Sequence, residues 1–295
     1  MILYSAVSQF IYTAMQIFRA ALISVVLAVS ASYTGLEAQS LDGGIAIGLS
    51  AYDGELGRIE PLDKIGSSRF AYGAFVRASF NEFVAARVYY HRSELHGADS
   101  LEERRASRNL SFQTNVDELG LLVEYYPLGD KYLLSPYVFG GVAGYAFDPE
   151  TEFQGGTVEL QPLGTEGQGR PGFEERYSLQ RLAMPLGAGL RLKMGPRFWI
   201  AGELGARLVF FDYLDDVGGV YADPNVLGID GNPTAVALAD RRTELVGGTP
   251  AAPGTARGSL SNNDYYVVAS FTFSYRFRQS DGSSSRKAKT DCYRF

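Results

Sequence analysis

The chain has 295 residues, enough for one large or two modest domains, with 13% aromatic residues dominated by Tyr and Phe. Its net charge of -6 argues against a nucleic-acid partner. Cys292 is the only cysteine, which rules out an intrachain disulfide and disfavours a thiolate metal site, and the two histidines, His91 and His96, leave little room for histidine catalysis.

The first element is a targeting segment covering residues 1–38. Met15 to Arg19 forms a short positively charged region, and Ala20 to Ala31 is a small-apolar stretch of signal-peptide length, too short to span as a helix. Cleavage is expected after Ala38, with the step after Ala31 as a second candidate. Residues 1–14 read as an upstream extension from a misjudged start codon. No cysteine lies near the cleavage region, so a lipoprotein anchor is not expected.

Beyond residue 38 there is no apolar run long enough for a spanning helix. Eight alternating segments appear instead. Alternation places successive side chains on opposite faces of a strand. Gly44–Tyr52 sets Ile45, Ile47 and Leu49 against Gly44, Ala46, Gly48 and Ser50. Arg69–Phe80 sets Phe70, Tyr72, Ala74, Val76 and Phe80 against Arg69, Gly73, Arg77 and Ser79. Val84–Ser93 sets Val84, Ala86, Val88 and Tyr90 against Arg87, Tyr89 and His91. Asn115–Tyr126 sets Leu119, Leu121, Val123 and Tyr125 against Glu118, Gly120 and Glu124. Pro136–Phe147 sets Tyr137, Phe139, Tyr145 and Phe147 against Gly140, Gly144 and Ala146. Tyr177–Lys193 sets Leu182, Met184, Leu186, Leu190 and Leu192 against Arg181, Gly187, Gly189 and Arg191. Phe198–Phe211 sets Ile200, Leu204, Leu208 and Phe210 against Glu203, Gly205 and Arg207. Tyr265–Phe277 is the clearest, with Tyr, Val, Ala and Phe at every odd position and Ser274, Thr272 and Arg276 among the even ones.

The expected fold is therefore an all-β, eight-stranded antiparallel transmembrane β-barrel over residues 39–278, apolar outside and polar inside, in the outer membrane. Short connections fall near Asn81, Gly129 and Gly195. Long ones cover residues 53–68, 94–114, 148–176 and 212–264, the last with room for an extra hairpin. Short turns belong to the periplasmic rim, which places both ends of the barrel there. Residues 279–295 form a polar, basic tail expected to be disordered.

Three constellations could carry chemistry. Arg77, Arg87, Glu118, Glu124, Arg191, Glu203 and Arg207 face the lumen. An eight-stranded barrel is just wide enough for its side chains to fill, so these charges are expected to pair into a plug rather than line an ion path. Arg77 and Arg87 sit at similar height on either side of a short turn and should meet Glu124 and Glu203, given a three-residue connection at Asn81–Phe83. Asp212, Asp215 and Asp216 form a candidate cation-binding loop, because hard cations take oxygen ligands. Their spacing matches no EF-hand, and Asp is also a common turn former. His91 with Ser93, Glu94 and Asp99 has no spacing that fixes a nucleophile, base and orienting group. The paired glycines at 140–141 and 218–219 lack the lysine and helix of a phosphate loop. No cofactor is expected.

Several loop words are more specific. They are Arg108-Asn-Leu-Ser-Phe-Gln-Thr-Asn115, the stretch Val158 to Gly169, Tyr177-Ser-Leu-Gln180, Met184-Pro-Leu-Gly187 and Phe211-Asp-Tyr-Leu-Asp-Asp-Val217. Together they resemble the Bacteroidota outer-membrane barrel family that includes PorG of the type IX secretion and gliding system. The resemblance runs from about Gly48 to Phe277. It implies a non-enzymatic anchor for a periplasmic ring of partner proteins, with lipid around the barrel, and it supplies no catalytic residues. Two other readings compete: a small receptor or transport barrel that binds a ligand through its long extracellular loops, and a surface enzyme on a barrel scaffold. The anchor works through the periplasmic rim and tail, the receptor through the opposite rim.

Overall fold

The computed structural model describes residues 39–57, 68–101, 105–230, 232–259 and 264–279. The targeting segment at 1–38 and the tail from 280 onward lie outside the described residues. Ser40–Gln279 form one compact unit.

In chain order the strands are β1 (Ser40–Asp53), β2 (Arg69–Ser79), β3 (Val84–Ala98), β4 (Ser111–Tyr125), β5 (Leu134–Phe147), the short β6 (Glu150–Phe153) and β7 (Gly156–Glu159), then β8 (Gln180–Lys193), β9 (Phe198–Leu208) and β10 (Tyr265–Gln279). The eight long ones make the wall. Each pairs antiparallel with its neighbours around the wall, and β1 pairs with β10 along its whole length, from Ser40↔Gln279 to Asp53↔Tyr265. That last pairing closes an eight-stranded antiparallel barrel and leaves no open edge, the condition a sheet must meet in lipid. The last strand runs one residue into the segment read as tail. Among the described residues no helix is long and apolar enough to cross a membrane.

The turn between β2 and β3 shows how local sequence sets register. Ser79 pairs with Ala85, and Asn81, Glu82 and Phe83 form a three-residue connection. The Asn81 side chain caps it, accepting from the backbone N–H groups of Phe83 at 2.7 Å and Val84 at 2.8 Å. The odd loop length brings Arg77 directly across from Arg87.

The outer surface is apolar in the middle and aromatic at its ends. Ile45, Ile47, Leu121, Val142, Leu186, Leu190 and Leu204 are exposed along it. Phe198, Tyr275 and Phe277 cluster at the short-turn rim, with ring centroids 5.1 and 5.3 Å apart. Phe70 and Tyr72 pair at the other end, 5.8 Å apart. There Tyr90 and Arg92 both bind Asp117. This band between two aromatic girdles is the surface a bilayer requires, and it places the chain in the outer membrane, where closed barrels reside.

Strand β5 departs from the expected facing. Tyr137, Phe139, Tyr145 and Phe147 point inward and are buried, while Val138 and Val142 are exposed. Gly144 faces out, where a Cβ would meet nothing within 4 Å. The physical reason lies two strands along the wall. Tyr137 donates its hydroxyl to Glu203 at 2.5 Å, so the ring carries a polar partner into the lumen. Glycines on the neighbouring strand β8 make room: a Cβ on Gly189 would come 2.5 Å from the Tyr137 ring, and one on Gly187 the same distance from Phe139. Gly44, Gly73, Gly120, Gly187, Gly189 and Gly205 are thus among the glycines that make room for lumen side chains, and Gly140 and Gly144 are not.

The extra hairpin also sits elsewhere than expected. It is the β6–β7 pair, in the third long loop. Gln154 and Gly155 at its tip both have positive φ, 51° and 81°, the conformation of a tight hairpin turn. A bridge from Gln113 to Glu150 attaches it to the wall above β4. The fourth long loop instead holds two short helices, α1 (Pro224–Leu227) and α2 (Pro233–Ala239). Each begins Asx-Pro: Asp223 and Asn232 accept from backbone N–H groups of the first turn, and proline follows at the position that needs no donor.

The described parts of these loops pack into a crown over the mouth. Leu56, Leu110, Leu160, Leu163, Leu214, Val217 and Leu238 are buried together with Tyr52, Tyr145 and Phe147 from the upper lumen, so one apolar cluster runs from barrel into crown. A second cluster, around Phe75, Tyr89, Leu122, Tyr137 and Phe139, fills the lower lumen.

Candidate functional site

The lumen charges stack in layers along the barrel axis. Nearest the short-turn rim, Asp42 takes Arg191 at 2.6 Å and Arg276 at 2.8 Å. Arg276 also reaches Asp130 at 3.3 Å, and both arginines lie over the Trp199 ring, 4.8 and 4.2 Å from its centroid. In the next layer Arg77 grips Glu124 with two hydrogen bonds, 2.6 and 3.1 Å. Arg87 bridges Glu124 at 2.8 Å and Glu203 at 2.6 Å. The Tyr126 hydroxyl donates to Glu124 at 2.7 Å. The Phe75 ring sits beneath both arginines, 5.0 and 5.3 Å from their guanidinium carbons. Above them, Glu118 accepts from Arg207 at 3.4 Å, from Tyr266 at 2.5 Å and from Tyr89.

Every lumen residue singled out from the alternation thus lies in this stack. Three members lie outside that set, one of them Asp130 in a short turn. Asp42 precedes the expected start of β1, although it is in phase with Gly44, Ala46 and Gly48. Arg276 stands at an inward position of β10 but was not counted with the network. With them and Asp130 included, five arginines meet five carboxylates among the described residues. The balance matters because an unpaired charge inside the barrel would cost several kcal/mol.

A void of about 30 Å³ lies among Phe75, Arg87, Tyr89, His91, Glu203 and Arg207. That is room for one or two water molecules, not for a column of them. The purified protein is therefore expected to show no stable conductance in planar lipid bilayers. A long-lived large channel in single-channel recordings would contradict the sealed lumen.

His91 sits in this wall, its Nδ1 3.0 Å from the Ser93 hydroxyl. Glu94 points elsewhere, to Arg69 at 3.4 Å, and Asp99 is held by Arg108. These residues do not assemble around a common point.

The acidic segment at the start of the fourth long loop is split. Asp216, with φ of 64°, turns one way. It accepts from Thr165 at 2.6 Å and Tyr177 at 2.7 Å. Arg257 lies behind it, donating to the Asp216 carbonyl at 2.6 Å, to Glu166 at 3.0 Å and to the Ala239 carbonyl at 3.1 Å. Burial raises the Asp216 carboxyl to about 6, against the pull of Arg257. Asp212 and Asp215 turn the other way, towards Glu55 after β1 and Asp264 before β10. The expected trio is thus not one ligand set, because the left-handed residue reverses the side-chain direction between 215 and 216.

The second group is a nest of buried carboxylates. One oxygen each from Glu55, Asp215 and Asp264 lie within 4.8 Å of one another. Burial, with the neighbouring carboxylates adding to it, pushes Asp212 and Asp215 up to about 8, and Glu55 and Asp264 are raised as well. Nothing in the local sequence announces this group, since its members come from residues 55, 212, 215 and 264.

A family model described as "Domain of unknown function (DUF6089)" matches residues 19–227. No curated protein matches the chain. Among solved structures it is similar to Neisserial surface protein A, at 9% identity and a TM-score of 0.42, covering 80% of this chain and 97% of that one. It is also similar to a major outer membrane protein from Thermus thermophilus, at 14% identity and a TM-score of 0.39, covering 81% of this chain and all of that one. OprG from Pseudomonas aeruginosa is similar at 13% identity and a TM-score of 0.37, covering 83% of this chain and 98% of that one. The barrel assignment itself rests on the closed strand order and the apolar outer band.

Proposed function

The chain belongs to the DUF6089 family, a domain of unknown function, and from that starting point we propose that this outer-membrane barrel is a non-enzymatic anchor that docks periplasmic components of a type IX secretion assembly. The observation that carries the anchor reading is the sealed lumen. Each of the five stacked arginines pairs with a carboxylate among the described residues, and the void beside Arg87 holds no more than a water or two. A barrel without a path contributes a fixed position in the membrane and two rims. The short-turn rim, with the barrel's first and last strands ending there, faces the periplasm by the usual arrangement of such barrels. The class of partner comes from the loop sequences that resemble the PorG family. Outer-membrane lipid surrounds the apolar band, and the negative net charge speaks against nucleic acid.

The test is a null strain together with affinity purification. The tagged barrel, cross-linked in intact cells and isolated from membranes, is expected to bring periplasmic ring proteins with it. Deleting the gene is expected to abolish secretion of type IX cargo and gliding. Secretion and gliding that persist in a null strain with no second copy of the family overturn the reading.

One observation favours a different role. The described part of the crown has its own buried ion pairs and apolar core. A barrel that only anchors from below needs no such structure above the membrane. In the receptor reading, the crown recognises an extracellular ligand. The null strain would then secrete normally and lose binding at the cell surface.

A further inference from the structure

We propose that Glu55, Asp212, Asp215 and Asp264 form a calcium site inside the crown, stapling the loop after the first barrel strand to both ends of the fourth long loop. The inference stands on the crown alone and does not depend on the anchor reading.

The first observation is geometric. Glu55, Asp215 and Asp264 each bring a carboxylate oxygen within 4.8 Å of the other two. Calcium binds oxygen at roughly 2.3–2.6 Å, so ligands on opposite sides of one ion stand about 5 Å apart. All three oxygens can therefore reach a single ion. The second observation is independent of that cluster. Asp212 is 7% exposed, and neither of its carboxylate oxygens meets an N–H or O–H donor among the described residues; its carboxyl approaches that of Glu55 instead. It faces Glu55 and Asp215. Glu55 is 4% exposed, and its Oε2 is likewise without a hydrogen-bond partner there. A buried acceptor with nothing to accept is costly, and a carboxylate more so than a neutral group. Carboxylate oxygens left bare while pointing at other carboxylates are what a cation site looks like before its ion is added.

The remaining oxygens are held in place from outside. Asp215 accepts from the backbone N–H groups of Leu56 at 3.2 Å and Val217 at 2.9 Å. Asp264 accepts from Leu214 N–H at 2.9 Å and from the Tyr52 hydroxyl at 2.5 Å. Glu55 Oε1 accepts from Ser259 N–H at 3.2 Å. Such outer contacts fix ligand orientation and leave the other lone pairs for the ion. The neighbouring arginines draw the carboxyls of Glu55 and Asp215 down, while donating hydrogen bonds to other acceptors. Arg105 and Arg108 donate to the Glu55 carbonyl, and Arg257 serves Glu166. The all-oxygen, all-anionic ligand set selects a hard cation. Calcium is favoured over magnesium, which keeps most of its waters and is seldom caged by protein carboxylates alone.

The experiment uses the full-length protein folded in detergent micelles and stripped with EDTA, with calcium chloride as the only probe. Isothermal titration should give one calcium per chain. In D212N and E55Q the affinity should fall at least about tenfold, the loss expected when one charged ligand of a hard-cation site goes, while D223N, at a half-buried helix cap away from the cluster, should bind as wild type. Proteolysis of the crown supplies a readout of opposite sign. Without calcium at about pH 9, above the raised Asp212 value, D212N should be cut more slowly than wild type, because one buried charge has gone. With free calcium at about a hundred times the dissociation constant, wild-type cutting through the opened crown should slow about 100-fold, and D212N should respond little. Heat-modified mobility on gels reports that each variant still forms the barrel, and if D212N does not fold, E55Q carries the comparison. No saturable binding at millimolar calcium would mean that these carboxylates are held by protons alone, and the proposal fails. Binding by D212N and E55Q equal to wild type overturns it equally.

Discussion

Glu124→Ala is expected to destabilise the barrel by about 3–5 kcal/mol, the cost of leaving buried cations without their partner. Glu124 is fully buried and is gripped by Arg77 and Arg87 together, with Tyr126 donating a third contact. Removing it strands Arg77, whose ion pair is with Glu124. Arg87 retains Glu203. The double change Glu124→Ala with Arg77→Met should recover part of the loss, because the orphaned guanidinium is then gone. Urea-dependent folding into phospholipid vesicles, followed by gel mobility, measures both. Equal stability of Glu124→Ala and wild type would show that the lumen is wetter than its packing indicates.

Arg257→Met is expected to have a comparable effect, confined to the crown. Arg257 is 3% exposed and ties three segments together through Ala239, Glu166 and Asp216. Its loss leaves the Glu166 carboxylate buried without a cation, at about 3–5 kcal/mol for a broken buried pair. Glu166 keeps the N–H groups of Gly218 and Gly219, at 3.2 and 2.8 Å. Hydrogen exchange should accelerate in residues 160–170 and 212–222, while β1 and β10 keep their protection. Unchanged exchange in the crown would count against the role assigned to this arginine. Faster exchange throughout the barrel would show that crown and wall unfold together.

The alternation carried much of the wall. In β10, the odd positions from Tyr265 to Phe277 read outward and the even ones from Tyr266 to Arg276 inward, as the structure has them. The reason is that lipid and lumen are two different solvents, and period two sorts side chains between them. The height of Arg77 and Arg87 could be read as well, because a three-residue turn leaves little freedom in register. Strand β5 resisted the same reasoning. Its two faces are aromatic and small, and neither is charged. Which face suits the lumen depends on Glu203 two strands away and on glycines at 187 and 189, none of which is near in sequence.

The amino-acid order by itself determined a closed, lipid-facing barrel, its long and short rims, and a lumen filled with charge, because these follow from local periodicity and turn length. Tertiary structure alone decided which carboxylates meet which arginines at Asp42 and Arg276, and that the acidic loop divides. Asp215 and Asp216 are adjacent, yet one turns to Glu55 and Asp264 and the other lies against Arg257. A single left-handed residue and the closure of β1 on β10 bring about that separation. Contacts between residues far apart in the chain, such as Tyr52 with Asp264, arise only when the two ends of the sheet meet.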